Sequence, residues 1–408
     1  MESFIKLFCV ALVFIFVFCG CEISEKDDIS QISGEDTSKH TSIDDEIISK
    51  LEIDTSSVYD YSSKYFVNRL NDEMLLYFVG IYEQAISFGD TVNFDKPVDS
   101  EILDDVMFLV NYDCPELIQL LGEYQPLYCD EQMKTVSGVR LMYNMSKDDY
   151  DERMSELESF FDELKITLEG KSDLEKEKYI YAYIFENCIY DEAYSLSGSA
   201  YGTLIDNRGR CEGFCKSFMW CMRELGNNCI CVSGVPKWDS NALYSLHSWN
   251  IVEIDGNYYH LDITADKVHR EHEPVYPPCY GLFNVDDQTV LESRTINELY
   301  SYLGLPLCDS DDMNYHKMNS LVVSESAEYK TEFVDILKRN VRDNELDGIS
   351  VRFESEEAYD DVSDNIDSIL DEMLSDYDGE YKYTTYANSL SRTLTICAKI
   401  KEESEGEA

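Results

Sequence analysis

Apolar residues recur at helical spacing through the first part of the chain that holds enough of them to fold. One series predicts a helix and consists of Phe66, Leu70, Met74, Phe78, Ile81, Tyr82 and Ala85. A second series predicts another helix and consists of Ile102, Val106, Met107 and Val110. After a short predicted strand at Leu141–Tyr143, Ser146 is placed to cap a third helix. We therefore predict a mainly helical N-terminal domain over residues 58–166.

The following segment predicts a helix, a polar loop and a second helix. Ser172 and Glu175 form a capping-box pattern ahead of the run LEKEKYIYAYIFENCIYDE. The loop YSLSGSAYGTLIDNRGR then leads to Cys211. From there a 3.6-residue period runs through Phe214, Cys215, Phe218, Met222 and Leu225. The period begins at Cys211, and Gly226 supplies the stop expected at the other end of the helix. Cys211 should therefore lie at or near the N-terminus of this helix.

The stretch HSWNIVEIDGNYYHLDIT predicts two antiparallel strands joined at Asp255-Gly256. A two-residue turn pairs Ile254 with Asn257, which makes His247 and Asp262 diagonal neighbours on one face. The other face is apolar and suited to a core; it carries Val252, Ile254, Tyr259, Leu261 and Ile263. The hairpin therefore places a carboxylate within reach of an imidazole.

The last part of the chain alternates strand and helix patterns. Strands are predicted at Leu321–Val323, at Ile349–Phe353 and at Thr393–Ala398, and helical periodicity runs over Phe333–Val341 and Tyr359–Leu374. We predict a small C-terminal α+β domain over residues 315–400 and an acidic tail at 401–408. The unit carries no catalytic constellation in its sequence.

The N-terminal end has the features of an export signal. An apolar run from Leu7 to Phe18 follows Lys6, and Phe18-Cys19-Gly20-Cys21 resembles a bacterial lipobox. We predict a lipoprotein signal peptide over residues 1–20, lipidation of Cys21, and an acidic, disordered tether over residues 21–57. The chain should then lie on the extracellular face of the cell membrane, held by its N-terminal lipid.

Charge and cysteine usage narrow the function classes. The formal net charge of −49 repels phosphate backbones, so a nucleic-acid partner is not expected. The 14 cysteines lack a repeated CxxC pair and several lie in apolar runs, which favours unpaired core thiols over a disulfide scaffold or a zinc site. The sequence predicts neither a cofactor nor a metal site.

The candidate chemistry combines Cys211 with the hairpin. A cysteine at a helix N-terminus meets unpaired N–H groups and the positive end of the helix dipole, and Arg208 and Arg210 add positive charge, all of which favour the thiolate. His247 would act as base and Asp262 would orient it, giving a Cys-His-Asp site. The N–H of Cys211 could donate to an oxyanion, and the second donor remains open among Asn187, Tyr190 and others.

Other histidines offer alternatives. His260 falls on the face of Asp262 and competes as the base, although it lies nearer the turn. His269 and His272 could contact a metal with Asp266, but a polar loop is the simpler account of HREH.

The stretch from about Ser172 to Val285 resembles the transglutaminase-like superfamily. The matching motifs are YD before the loop, GRCEGFCKSF around the cysteine, LG after its helix, HSWN at the histidine, the hairpin, and YGLFNVDD behind it. The resemblance implies a papain-like α+β core over residues 167–305, with a nucleophile helix packed on an antiparallel sheet. Carried over by motif, Cys211, His247 and Asp262 match the catalytic triad. Ala265 stands where many members have Trp, which leaves the cleft shape open.

The resemblance implies an acyl-enzyme but leaves the reaction open. We expect a peptidase or amidase acting on an extracellular polypeptide or cell-wall peptide, because hydrolysis needs no site for a second substrate. Transglutaminase-type cross-linking or deamidation is one alternative. A non-catalytic binding protein on an inherited fold is another.

Overall fold

The computed structural model describes residues 64–120, 122–237, 246–267, 278–342, 345–377 and 380–401. The predicted signal peptide, Cys21, the tether, His269, His272 and the tail beyond Lys401 lie outside the described residues. Within those ranges, no helix combines the length and apolar character needed to cross a membrane.

The helices of the described part are numbered along the chain. They are α1 (Asp72–Ile86), α2 (Ser100–Asp113), α3 (Lys147–Thr167), α4 (Asp173–Asn187), α5 (Ala200–Leu204), α6 (Cys211–Glu224), α7 (Ile263–Lys267), α8 (Asp287–Ser293), α9 (Leu299–Leu303), α10 (Tyr315–Met318), α11 (Tyr329–Asn340), α12 (Glu356–Asp364) and α13 (Ile366–Leu374).

The strands are numbered in the same way. They are β1 (Thr91–Asp99), β2 (Tyr124–Tyr128), β3 (Thr135–Leu141), β4 (Ile189–Tyr190), β5 (Arg208–Gly209), β6 (Cys229–Pro236), β7 (His247–Ile254), β8 (Asn257–Leu261), β9 (Phe283–Val285), β10 (Arg294–Ile296), β11 (Val322–Val323), β12 (Glu345–Phe353), β13 (Glu380–Asn388) and β14 (Thr393–Lys401).

The N-terminal segment contains the predicted helices and, in addition, a sheet. The helices begin where the sequence supplies caps: Asn71 accepts from the N–H of Met74 before α1, and Ser146 and Asp149 form a capping box before α3. An antiparallel sheet of order β1-β3-β2 packs with them and was not predicted, apart from a short strand near Leu141. Its register shifts between Asn93 and Val98, which interrupts the alternation that would have revealed the strand.

A central sheet of order β10-β6-β7-β8-β9 forms the core of the molecule. Successive residues of β6 alternate between two hydrophobic clusters, as a strand buried on both faces requires. Cys229 and Cys231 join the cluster of α4 and α6, whereas Ile230 and Val232 join that of α1 and α2. Helix α6, which begins at Cys211, therefore packs on an antiparallel sheet, and the predicted α+β fold class is confirmed.

The C-terminal unit has a hydrophobic cluster of its own, made by residues from Leu321 onwards. Its sheet has the order β11-β12-β14-β13, with β11 parallel to β12. The helix expected over Tyr359–Leu374 is divided at Asn365 into α12 and α13. Strand β13 was not predicted, because YKYTTYAN is largely polar.

Candidate active site

The hairpin of β7 and β8 brings the predicted histidine and aspartate together. Asp255 and Gly256 adopt φ values of 51° and 86°, the left-handed conformation that a tight two-residue turn requires, and Ile254 pairs with Asn257 as predicted. Pairing between β7 and β8 ends at Asn250 and Leu261, so Asp262 directly follows the paired segment and His247 lies three residues before it. There Nε2 of His247 lies 2.7 Å from Oδ2 of Asp262.

Cys211 is the first residue of α6 and is partly exposed. The side chain of Arg210 makes no hydrogen bond that caps the helix. The preceding loop is fixed to the helix start, since the N–H of Arg210 donates to the carbonyl of Ser197 at 2.9 Å. The sequence prediction of a cysteine at a helix N-terminus is thus confirmed.

His247 also hydrogen-bonds with Cys211, which completes the contact between all three predicted residues. With Nε2 engaged by Asp262, Nδ1 is the ring nitrogen left to face the thiol. Burial lowers the pKa of His247, but the charge of Asp262 and the hydrogen bonds of Asp262 and Cys211 outweigh it and raise the pKa to about 9. At neutral pH the imidazole is therefore protonated.

Asp262 is almost fully buried and saturated with donors. Burial alone would raise its pKa, but the charges and hydrogen bonds of His247 and Arg294 lower it well below the usual range. Its Oδ1 accepts from the N–H of Ala265 at 3.0 Å, and its Oδ2 accepts from Nη1 of Arg294. Sequence reasoning missed Arg294, because a single arginine in the polar stretch ESRTINEL gives no signal of burial.

The arginines flanking Cys211 do not supply the free positive charge that the sequence suggested. Arg208 pairs with Asp191, and Nη2 of Arg210 lies 2.6 Å from Oε2 of Glu212. Glu212 is buried and also accepts from Lys216 at 2.7 Å. Arg210 still interacts with Cys211 through its charge, and His247 contacts the thiol by a hydrogen bond.

The neighbouring cysteines are core side chains, as predicted. Cys215 is buried one turn along α6, and its Sγ donates to the carbonyl of Trp249 at 3.0 Å. Burial raises the pKa of both Cys215 and Cys221. Cys215, Cys221, Cys229 and Cys231 are all free thiols.

His260 is not a second base for Cys211. Its Nδ1 accepts from Nε1 of Trp249 at 3.0 Å, and its Nε2 lies 2.8 Å from Asp287. Because the indole can only donate, Nδ1 carries no proton, and Nε2 holds the proton that Asp287 accepts. His260 thus serves to anchor Trp249.

His260, Asp287 and Cys308 have potential ligand atoms within 4.8 Å of one another. A metal at Nε2 of His260 would require the ring proton to sit on Nδ1, where it would face the indole N–H of Trp249. The group is therefore a hydrogen-bonded cluster, not a metal site. Burial and nearby carboxylates raise the pKa of Cys308, so its thiol stays protonated and inert.

Asn187 and Tyr190 are the two candidates for the second oxyanion donor that the sequence named. Of these, Tyr190 lies beside Cys211. Tyr190 pairs with Gly209, two residues before Cys211, and its ring packs edge-on against Phe214 of α6 at 6.2 Å. Burial and the side chain of Cys211 raise the pKa of Tyr190, whereas a hydrogen bond from the backbone N–H of Cys211 lowers it. Asn187 is turned back toward its own helix and donates to the carbonyl of Tyr183.

Comparison with known proteins agrees with these features. Residues 163–263 match the transglutaminase-like superfamily, and this range includes Cys211, His247 and Asp262. The predicted resemblance is confirmed for this part of the chain, and it supports a cysteine-based enzyme in general. No curated protein matches the chain.

Two solved structures are similar at low identity. A crystal structure of a TGase is 14% identical with a TM-score of 0.25, and the match covers 45% of this chain and 53% of that one. A candidate cysteine protease from Cytophaga hutchinsonii is 14% identical with a TM-score of 0.23, covering 43% of this chain and 66% of its own. The chain thus spans about half of the first and just under two thirds of the second.

Proposed function

We propose that this chain, whose residues 163–263 match the transglutaminase-like superfamily, is an exported cysteine peptidase or amidase working through a thioester. The observation that carries the proposal is the contact of three groups at one helix start. Cys211 is the partly exposed first residue of α6, His247 hydrogen-bonds with it, and Asp262 holds the other ring nitrogen at 2.7 Å. These are a nucleophile, a proton carrier and an orienting carboxylate.

Acylation begins from a thiolate facing a protonated imidazole. The sulfur of Cys211 attacks the carbonyl carbon of a peptide or amide bond, and the negative charge moves to the carbonyl oxygen. When the tetrahedral intermediate collapses, the C–N bond breaks and His247 gives its proton to the departing nitrogen. The products are a free amine and a thioester on Cys211. A pKa of about 9 suits His247 to carry that proton at neutral pH.

Deacylation reverses the proton transfer. Neutral His247 takes a proton from water, the hydroxide oxygen attacks the thioester carbon, and the C–S bond breaks to release a carboxylic acid. An amine in place of water would give cross-linking, and a glutamine side chain as the acyl donor would give deamidation. We favour water, because it needs no dedicated second-substrate site.

Two N–H or O–H donors at the carbonyl oxygen would stabilise the intermediate. The N–H of Cys211, the first residue of α6, is the first of these donors in our proposal. The hydroxyl of Tyr190 is the second in our proposal, supported by the strand register that sets it against the nucleophile. In the free enzyme this hydroxyl donates to Glu192 at 2.9 Å, so it must turn from Glu192 to reach a substrate oxygen.

The proposed setting is the outer face of the cell membrane. It rests on the apolar run, the lipobox-like Phe18-Cys19-Gly20-Cys21 and the acidic tether, with Cys21 carrying the lipid. The substrate would be an extracellular polypeptide or cell-wall peptide, and nucleic acid would not be a partner. Labelling of Cys21 by a fatty-acid analogue, lost in a Cys21→Ala variant, tests the anchor.

The first prediction concerns the reactivity of Cys211 in the protein lacking residues 1–20. Alkylation by iodoacetamide, followed site by site by mass spectrometry, should proceed at Cys211 well below pH ~8.5, where an ordinary thiol ionises. A His247→Ala variant should lose this reactivity at low pH, because the thiolate loses its imidazolium partner. Cys215 provides the internal control, since it is buried and should react slowly in both proteins.

The competing possibility is a binding protein on an inherited fold. It predicts that Cys211 reacts no faster than Cys215 and that His247→Ala changes nothing. Either result would refute the catalytic proposal.

A further inference from the structure

Arg294 is a fully buried cation at the candidate active site. It opens β10, and its Nη1 donates to Oδ2 of Asp262, the same oxygen that accepts from Nε2 of His247. Its Nε donates to Oγ of Ser293 at 3.3 Å. The residue lies beyond the segment that matches the transglutaminase-like superfamily, which ends at 263.

The guanidinium of Arg294 also packs against the aromatic ring of Trp249. The guanidinium carbon of Arg294 lies 4.9 Å from the centre of that ring, a cation–π contact. The imidazole of His247 stacks against the same indole, with centroids 6.2 Å apart and planes 18° apart. The indole is itself anchored by its hydrogen bond to His260. Arg294, Trp249 and His247 thus form one packed group around Asp262.

We propose that Arg294 is a positioning residue. It fixes the Asp262 carboxylate, and it competes with His247 for the negative charge of that carboxylate. This inference rests on the proposed function. Oδ2 of Asp262 accepts from His247 and Arg294, and its Oδ1 accepts from the N–H of Ala265. The buried carboxylate is therefore held in a single orientation, and so is the imidazole bonded to it. The groups that face His247 from the elements packed against it include Asp262 from the segment after β8 and Arg294 from β10, which act through their charges, and Cys211 from α6, which acts through a hydrogen bond.

Sharing the carboxylate has a consequence for the two halves of the reaction. The charge of Arg294 lowers the pKa of His247, against the larger effect of Asp262. Without Arg294, Asp262 would hold the imidazolium more tightly, and a neutral imidazole would be scarcer. Because deacylation requires His247 to accept a proton from water, Arg294 favours the second half-reaction.

The chain contains a matched control pair. Nη2 of Arg223 lies 2.6 Å from Oδ1 of Asp113, and the Arg223 and Asp113 side chains are 9% and 0% exposed. Arg223 lies at the far end of α6, 12 residues from Cys211, or about 18 Å along the helix axis. Its removal breaks an equivalent buried ion pair without touching His247.

The experiment is a histidine titration by NMR on the chain lacking residues 1–20. The full chain has 6 histidines, so selective labelling gives few resonances, and His247→Gln assigns the one of interest. We expect Arg294→Met to raise the midpoint of His247 by about one pH unit, the effect of removing one nearby opposing charge. Arg223→Met should leave that midpoint unchanged.

Arg294→Lys covers the case in which Arg294→Met does not fold. A lysine keeps the charge but lacks the planar fork that spans Asp262 and Trp249, so we expect a smaller upward shift. An unchanged midpoint in a folded Arg294 variant, or an equal shift in Arg223→Met, would overturn the inference. The titration needs no reactive thiol, so it remains decisive if alkylation of Cys211 refutes the proposed function.

Discussion

At the scale of single residues, the hydroxyl of Tyr190 separates two kinds of reaction at Cys211. Alkylation by iodoacetamide displaces iodide at a saturated carbon and forms no oxyanion. Acylation by an activated ester passes through a tetrahedral intermediate whose oxygen needs donors. A residue that serves only to build the site affects both reactions, whereas an oxyanion donor affects the second alone.

We therefore predict that Tyr190→Phe slows acylation of Cys211 by p-nitrophenyl acetate by about 100-fold, the usual effect of losing one oxyanion donor. Alkylation should keep the wild-type rate, because the phenylalanine ring retains the packing against Phe214. Stopped-flow release of nitrophenol measures the first rate and mass spectrometry the second.

Asn187→Ala is the control for this prediction, since its side chain bonds only within its own helix among the described contacts. It should leave both rates unchanged. A parallel fall of acylation and alkylation in Tyr190→Phe would assign Tyr190 a structural role.

The three residues of the candidate site were predictable because each lies next to a strong local signal. The apolar period located the start of α6 and Gly226 its end, and Asp255-Gly256 set the register that joins His247 to Asp262. Arg294 was not predictable, because its burial depends on Trp249 and Asp262, which are distant in sequence. Local patterns define a hairpin or a helix start, but not what packs behind it.

At the scale of elements, the start of α6 is fixed by close approach of the preceding loop. A Cβ added at Gly213 would meet the carbonyl oxygen of Ser197, and would lie 2.9 Å from Oγ1 of Thr203. Ser197 also accepts the N–H of Arg210 through that carbonyl. The absence of a side chain at Gly213 thus allows the loop to hold the nucleophile in place.

We predict that Gly213→Ala destabilises the protein by about 1–2 kcal/mol. The gain in helix propensity is about 1 kcal/mol, but the clash is with backbone, and overpacking costs about 1–3 kcal/mol or more. Alkylation of Cys211 should also slow as the loop shifts. Urea unfolding measures the stability.

Gly80→Ala in α1 is the matched control, because its nearest neighbour would be Cγ1 of Val92 at 3.8 Å, an ordinary contact. It should be neutral or stabilising by up to about 1 kcal/mol. A stabilised Gly213→Ala protein would show that the loop yields without cost.

The elements that prediction missed share a physical reason. β1 contains Pro97 and a register shift, and β13 reads YKYTTYAN, so neither shows clean alternation of apolar and polar residues. β1 is held in place by β3, which is distant in sequence, and β13 is held by β14, the next strand along the chain. Their formation depends on tertiary pairing rather than on a local pattern.

At the scale of the whole molecule, the hydrophobic clusters cross the boundary predicted at residue 166. Phe78 and Val106 from the N-terminal segment share a cluster with Trp249 and Ile251 of the central sheet. The cluster of the C-terminal unit, in contrast, takes all its buried members from Leu321 onwards. The two ends of the described chain should therefore differ in how much the stability of the central sheet depends on them.

We predict that a protein beginning at residue 167 does not fold cooperatively. It would expose Val232, Trp249, Ile251, Leu282 and Val285, all buried here. At about 1.5–3 kcal/mol for each side chain, the loss is on the order of 10 kcal/mol, comparable with the whole stability of a domain. Circular dichroism on heating and binding of a hydrophobic dye measure the outcome.

A protein ending at residue 320 is the control, because its truncation leaves the two clusters of the central sheet complete. It loses the hydrogen bond from Asn388 to the carbonyl of Ala265, the ion pair of Arg392 with Glu292 and the hydrogen bond between His316 and Ser350, but no buried member of those two clusters. It should unfold cooperatively and keep a reactive Cys211. Cooperative unfolding of the protein that begins at 167 would instead make residue 166 a true domain boundary, with the N-terminal segment an independent unit resting on the sheet.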